Sequence, residues 1–158
     1  MMKFLSKQKG FTLIELLVVI GILAVLLAIV LIAINPARQF AQANDTQRSS
    51  DVNAILNAVH QFMADNAGLP PANIGTEGTP IGNFGNLTDI CDDLVPQYLA
   101  ALPVDPQADN GTLGNAPITD CATAEEYDTG YWIFVSGTDS RITASVAGEV
   151  RPVIAVTR

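Results

Sequence analysis

The chain has 158 residues, of which 49% are hydrophobic, and a formal net charge of −8. This length suits one modest domain with an appendage and excludes two full domains. All three lysines precede residue 10, so the rest of the chain has five arginines and sixteen acidic residues. Its formal charge of −11 argues against nucleic-acid binding through the bulk surface, because phosphate contacts need clustered Lys and Arg.

A long apolar segment follows the lysines, over residues 11–34, in which only Thr12, Glu15 and Gly21 are not strongly apolar. As a helix it would extend roughly 36 Å, enough to cross a hydrocarbon core of about 30 Å. The segment is too long for the core of a secretory signal and lacks a convincing small-residue cleavage site. We therefore expect a membrane span, with a cytoplasmic N-terminus beside the lysines and a translocated C-terminal portion.

Glu15 is the unexpected residue in this segment, because a carboxylate that faces lipid is costly and normally has a partner. A cut between Gly10 and Phe11 would create an α-amine one helical turn from Glu15, in the same chain or in a neighbouring one. Between chains, a buried ion pair would fix the axial register of helices that otherwise slide on aliphatic surface. The sequence therefore predicts that Glu15 acts in assembly and not in catalysis.

The stretch "KGFTLIELLVVIGILAVLLAI" resembles the prepilin signature of the type IV pilin superfamily, which includes the type II secretion pseudopilins. The shared features are a short basic leader, Gly10, Phe11, and Glu15 at the fifth position after the cut. The resemblance implies cleavage after Gly10 and N-methylation of Phe11 by a prepilin peptidase on the cytoplasmic side. It also implies extraction from the membrane into a helical filament, in which Glu15 pairs with a neighbour's N-terminus.

A second helical segment follows the apolar one. Pro36 predicts a kink or local loosening near residues 32–36, because it removes a helix hydrogen bond. Residues 36–67 then continue as an amphipathic helix that ends before Gly68. Its apolar face consists of Val52, Ile55, Leu56, Val59, Phe62 and Met63. Its polar face, suited to water or to a filament neighbour, consists of Asn53, Asn57 and Gln61.

The remaining residues, 68–158, are predicted to form a globular head. Residues 68–128 are expected to be mainly loop, with a short helical turn near Leu94. Runs rich in aromatic and β-branched residues over residues 130–158 predict three antiparallel strands, at residues 130–137, 141–148 and 149–158. The fold class expected is α+β, a pilin-like lollipop: leader 1–10, membrane and assembly helix 11–35, its amphipathic continuation 36–67, and the head.

Two further features of the head concern cysteines and acidic residues. Cys91 and Cys121 both lie in the translocated portion, where a pair of cysteines is more often a disulfide than a metal site. The acidic segment that contains Asp105, Asp109 and Asp120 has the oxygen ligands that Ca²⁺ prefers. Major pseudopilins are similar in binding Ca²⁺ in this region. No spacing here matches an EF-hand, so a solvated acidic loop is the competing interpretation.

Together these features predict a non-enzymatic filament subunit, of a type IV pilus or of a secretion pseudopilus. Its partners would be copies of itself, the prepilin peptidase, the inner-membrane assembly machinery and the membrane. The head would be extracytoplasmic before assembly and would lie in a cell-surface or periplasmic filament afterwards. The alternative is a monomeric membrane-tethered extracytoplasmic binding domain. The sequence has no nucleophile elbow, zinc-protease motif, P-loop or dinucleotide fingerprint, and His60 has no nucleophile motif beside it.

Overall fold

The computed structural model describes residues 10–108, 114–122 and 126–158. The chain divides into two compact units, one that ends at Gln39 and one formed by Phe40–Arg158. The elements, in chain order, are α1 (Leu13–Ala33), α2 (Pro36–Asp65), β1 (Thr79–Gly82), α3 (Cys91–Leu94), β2 (Asp128–Val135), β3 (Ile142–Ala147) and β4 (Val153–Thr157). A long apolar helix followed by a small antiparallel sheet confirms the predicted α+β class.

Helix α1 forms most of the first unit. It has 21 residues with a mean hydropathy of 3.5, and none of its side chains is buried within the chain. Every Leu, Ile and Val of α1 is at least 50% exposed. The helix is long and apolar enough to cross a membrane, in agreement with the span predicted from the sequence.

The loosening predicted near residues 32–36 takes the form of a helix end followed by a new helix. Helix α1 ends at Ala33, Asn35 adopts a φ of 27°, and α2 begins at Pro36. Proline is favoured in the first turn of a helix, because its fixed φ is helical and its missing N–H has no acceptor there. The carbonyl and the side-chain oxygen of Asn35 accept from the N–H of Arg38, as in a helix cap.

The second unit has one hydrophobic core, between the apolar face of α2 and the sheet. Val52, Ile55, Leu56 and Val59 are completely buried, which confirms the predicted face, and Phe62 and Met63 are partly buried against the same core. The sheet contributes the buried side chains of Tyr131, Ile133, Ile142, Ala144, Val146 and Ile154. All strand pairs are antiparallel, and the strand order follows the chain.

The sheet has a fourth strand that the sequence did not indicate. Thr79–Gly82, β1, was expected to be loop because it contains proline and glycine, yet it pairs with β2. Proline is tolerated there because β1 lies at an edge of the sheet. Gly82 is required, since an added Cβ would lie 2.2 Å from Leu87 Cδ2 and 2.4 Å from the Tyr127 carbonyl oxygen.

The last strand is shorter than predicted. A strand was expected over residues 149–158, but β4 begins at Val153. The backbone N–H groups of residues 149–151 donate to the carboxylate of Asp45 and not to a neighbouring strand. That segment therefore forms a loop, and Pro152 directly precedes the edge strand β4.

The region expected to be mainly loop also contains α3 and a disulfide. Cys91, the first residue of α3, is bonded to Cys121. Leu102 pairs with Ile118 in an isolated antiparallel bridge. The disulfide joins the segment before β2 to α3, and the bridge joins the same segment to the residues after α3.

Candidate functional site

The N-terminal end of α1 contains the residues predicted for processing and assembly. Gly10 and Phe11 precede the helix, and the Phe11 side chain is 90% exposed. Residues 1–9 of the predicted leader lie outside the described part of the chain. The two residues that flank the predicted cut, Gly10 and Phe11, are therefore both exposed.

Glu15 is the acidic residue of a capping box at this end of the helix. Thr12 Oγ1 accepts from the Glu15 N–H at 3.2 Å, while Glu15 Oε2 accepts from the Thr12 N–H at 2.9 Å and from the Thr12 hydroxyl at 2.8 Å. A carboxylate in the first turn is also favoured by the helix dipole. Among the described residues no donor reaches Oε1, so this oxygen has room for a cation from outside the helix.

The surface around Glu15 is apolar. Phe11, Ile14, Leu16, Val18 and Val19 line a shallow groove with it. Exposed apolar surface of this extent is stable only against lipid or against other protein. The carboxylate therefore lies within an apolar surface that lipid or another protein must cover.

A buried ionic cluster joins α2 to the head. The Arg48 side chain contacts three carboxylates: Asp105 through two bonds of 2.6 and 2.9 Å, Glu149 at 2.9 Å and Asp45 at 3.1 Å. Arg48 itself is only 3% exposed. The hydrogen bonds to Asp105, and after them the one to Glu149, raise the pKa of the Arg48 guanidinium above its ordinary value.

Asp45 anchors the loop between β3 and β4. Its carboxylate accepts from the N–H groups of Glu149, Val150 and Arg151 at 2.8, 3.0 and 3.1 Å. These hydrogen bonds, that of Glu149 foremost, hold the pKa of Asp45 well below its usual range. Successive N–H groups that converge on one anion form a nest, which is occupied here by a side chain of the same chain.

This cluster is not among the features predicted from the sequence, although α2 carries a signal for it. Arg48 lies at helical spacing from Val52, Ile55 and Val59, so it continues the core-facing row. A charged residue in such a row must be paired when it is buried. The spacing indicated that Arg48 needed a partner, and Asp45, three residues earlier on the same helix, was a local candidate. It gave no signal for Asp105 or Glu149.

One of the residues considered for calcium, Asp105, belongs to this ionic cluster. Both carboxylate oxygens of Asp105 are bonded to Arg48, and Oδ1 also accepts from the Gln107 N–H. Asp109 lies outside the described residues, and Asp120 Oδ1 accepts from the Ala122 N–H. Within the described ranges no group of three or more His, Cys, Asp or Glu side chains could hold a metal. Calcium binding stays a prediction.

Known proteins are similar both to the N-terminal segment and to most of the rest of the chain. Residues 5–31 match the model of the prokaryotic N-terminal methylation motif. A type II secretion system core protein G from Escherichia coli is 30% identical over 115 residues, which cover 72% of this chain and 77% of that protein. A protein of the same name from Pseudomonas aeruginosa is 36% identical over 108 residues, which cover 63% of this chain and 68% of the relative. No solved structure matches the chain.

Proposed function

This chain belongs to the pseudopilin family that includes type II secretion system core protein G, and from this premise we propose how it works as a filament subunit. The mature chain polymerises through α1, which leaves the lipid only when the helices of other copies cover it. Within the membrane, lipid already covers the apolar surface of α1. Side-chain packing and polar pairing therefore have to favour contact with other helices over contact with lipid. Outside the membrane, burial of the same surface among neighbours is strongly favourable.

The processing site follows from the family motif. Cleavage after Gly10 removes the three lysines with the leader and leaves Phe11 as the first residue. N-methylation of its amine by a prepilin peptidase keeps the positive charge. The exposure of Gly10 and Phe11 next to the first turn of α1 supports access by such an enzyme.

The observation that carries the assembly mechanism is the geometry of Glu15. Oε2 is engaged by Thr12, and no donor among the described residues reaches Oε1. The amine of Phe11 in an adjoining copy is the cation that completes this carboxylate. Because the pair lies in apolar surroundings, a shift of one helix along the other would break it and leave two buried charges without partners. Glu15 thereby sets the register between subunits.

The names of both relatives favour a secretion pseudopilus over an adhesive type IV pilus. Before assembly the subunit is anchored by α1 as a single-pass protein of the cytoplasmic membrane, with its head outside the cytoplasm. Its partners are the inner-membrane assembly machinery and other copies of the chain. The role is structural and does not involve catalysis.

An intact mass measurement of the protein from membranes tests this function against a monomeric tethered domain. The filament subunit is expected to lack residues 1–10 and to carry one added methyl group on Phe11. Gly10→Ala, a change next to the cut, serves as the comparison and is expected to retain the leader. A wild-type chain that keeps its leader and stays monomeric would contradict the proposal.

A further inference from the structure

A shallow groove crosses α2 where the residue after β4 reaches the helix. Its lining consists of Asn57, His60, Gln61, Ala64 and Arg158, and its volume is about 460 Å³. We call it the Arg158 groove. It lies on the polar face of α2, opposite the row that packs into the core.

Arg158 is fixed in this groove by neutral groups. Its guanidinium donates to the side-chain oxygen of Asn57 and, at 3.0 Å, to that of Asn53. Its backbone N–H and carbonyl both pair with Ile142, at 2.9 and 2.8 Å. No carboxylate of the described residues lies within 4 Å of this guanidinium, whereas Arg48 contacts three. The amides therefore orient the cation without neutralising its charge.

His60 also lines the groove. Its Nε2 is buried and has no hydrogen-bond partner among the described residues. A buried polar atom without a partner costs free energy that an incoming group can recover.

The charge of the chain identifies the occupant. Without its first ten residues the chain has a formal charge of −11. Copies that lie side by side in a filament therefore repel one another unless some of their carboxylates meet cations. A guanidinium has further N–H donors beyond the two used on Asn53 and Asn57, and its planar fork matches a carboxylate.

We propose that the Arg158 groove binds a side-chain carboxylate of a second copy of this chain in the assembled filament. This inference rests on the proposed filament function and adds a head-level contact to the pairing at Glu15. It assigns Arg158 the role of a cation that is oriented to bind a carboxylate of a neighbouring copy.

A cross-linking experiment tests this contact directly. The only lysines are Lys3, Lys7 and Lys9, so the processed chain has no side-chain amine. Arg158→Lys places a single one in the groove and keeps the charge. A water-soluble carbodiimide joins that amine to any carboxylate it contacts. The experiment uses filaments that contain both light and heavy isotope-labelled subunits, sheared from cells that express the full chain. These filaments are treated with the carbodiimide, and the cross-linked peptides are identified by mass spectrometry.

We expect cross-links between Lys at position 158 of one copy and an Asp or Glu of another. Arg151→Lys is the matched control, because Arg151 is an exposed arginine at the opposite end of the β3–β4 hairpin and outside the groove. Gln61→Lys, at an exposed position of the groove that leaves Arg158 unchanged, is expected to give the same cross-links. It provides the test if Arg158→Lys fails to fold.

The outcomes separate this inference from the proposed function. If the Phe11 amine links to Glu15 between copies but the groove lysines form only intrachain links or none, the groove contact is wrong and the filament function stands. Equal intermolecular linking at position 151 would also reject the groove as the specific site. Absence of filaments and of all intermolecular links in the wild type would overturn both.

Discussion

Arg48 and Asp105 form a buried bidentate ion pair, with Nε 2.6 Å from Oδ2 and Nη2 2.9 Å from Oδ1. The two residues are 57 positions apart in the chain, so the pair joins α2 to the turn after Leu102. Glu149 extends the network to the β3–β4 loop. The helix and two loops of the head are thus held by one guanidinium.

Arg48→Ala should destabilise the second unit strongly, because it leaves Asp105 and Asp45 buried without their cation. Removal of one partner from a buried pair typically costs about 3–5 kcal/mol. Urea unfolding of the detergent-solubilised chain, followed by the fluorescence of its single tryptophan, Trp132, measures the loss. Arg38→Ala is the control, since Arg38 is exposed and has no ion pair among the described residues. Equal unfolding midpoints for the two variants would contradict a stabilising role for the cluster.

Stability should fall in acid because of Asp45. Its pKa in the folded chain lies well below the ordinary value of 3.8, chiefly through the Glu149 N–H. Its contribution is therefore complete above about pH 5 and is lost as the pH falls through the ordinary value toward the folded one, where only the unfolded chain binds the proton. Asp45→Asn should be less stable near neutral pH but should lose less of its remaining stability in acid. Identical slopes of the urea midpoint against pH would refute this.

Asp51 should change the pH dependence of stability in the opposite direction to Asp45. Burial raises its pKa, although the Tyr131 hydroxyl donates to its carboxylate at 2.8 Å. The folded chain then holds a proton that the unfolded chain releases, so this residue lowers stability as the pH rises above its ordinary value. Asp51→Asn keeps an acceptor for Tyr131 and should raise the urea midpoint near neutral pH relative to acid. A constant difference between variant and wild type at all pH values would argue against this assignment.

Gly148 should be intolerant of a side chain. An added Cβ would lie 2.2 Å from the Arg151 carbonyl oxygen and 3.2 Å from Asp45 Oδ1, so the loop around Asp45 would have to move. Gly148→Ala is expected to cost about 1–3 kcal/mol, as overpacking does. Gly137→Ala is the control, since nothing lies within 4 Å of its added Cβ, and it should be neutral in the same urea titration. A neutral Gly148→Ala would show that the loop adapts.

The elements that sequence analysis predicted are those with a local signal. An apolar run identifies α1 by composition alone, and helical spacing identifies the buried row from Val52 to Val59. The edge strand β1 was missed because Pro80 and Gly82 are typical of loops, and only pairing with β2 makes a strand of them. The ionic cluster was missed because Arg48 meets partners 57 and 101 positions away. Such distances leave no pattern in a single sequence.

Asp105 illustrates how a residue type can be recognised while its partner is not. The sequence indicated an acidic segment with oxygen ligands suited to calcium, with a solvated acidic loop as the competing interpretation. The structure supplies a guanidinium from α2 in that role. One carboxylate satisfies the same electrostatic requirement with either cation, so residue chemistry alone did not separate them.

The disulfide should contribute much of the stability of the second unit. It closes a loop between positions 30 residues apart, for which chain entropy predicts roughly 3–4 kcal/mol. Cys91→Ala combined with Cys121→Ala should lower the urea midpoint and abolish its sensitivity to reductant. Wild type measured with reductant should approach the double variant. A wild-type midpoint that reductant leaves unchanged would contradict the prediction.

Two substitutions at the end of α1 should separate the capping role of Glu15 from its role in assembly. Glu15→Gln keeps an oxygen for the Thr12 N–H but removes the charge, so it should abolish uniform filaments in electron micrographs of sheared preparations. Thr12→Val removes the hydroxyl that bonds Glu15 but keeps the carboxylate. Loss of a cap costs about 1 kcal/mol, which a membrane-embedded helix tolerates, so Thr12→Val should still assemble.

Both variants retain an apolar α1, so a difference in their assembly would come from the charge of Glu15. If Glu15 only capped the helix, Thr12→Val would be the more damaging change, since it removes the two hydrogen bonds made by the Thr12 hydroxyl. If Glu15 pairs with the Phe11 amine of another copy, Glu15→Gln alone should fail, and Glu15→Asp should assemble poorly because its shorter side chain carries the charge to a different position. Normal filaments from Glu15→Gln would exclude register control by an ion pair and leave packing of α1 as the sole determinant of assembly.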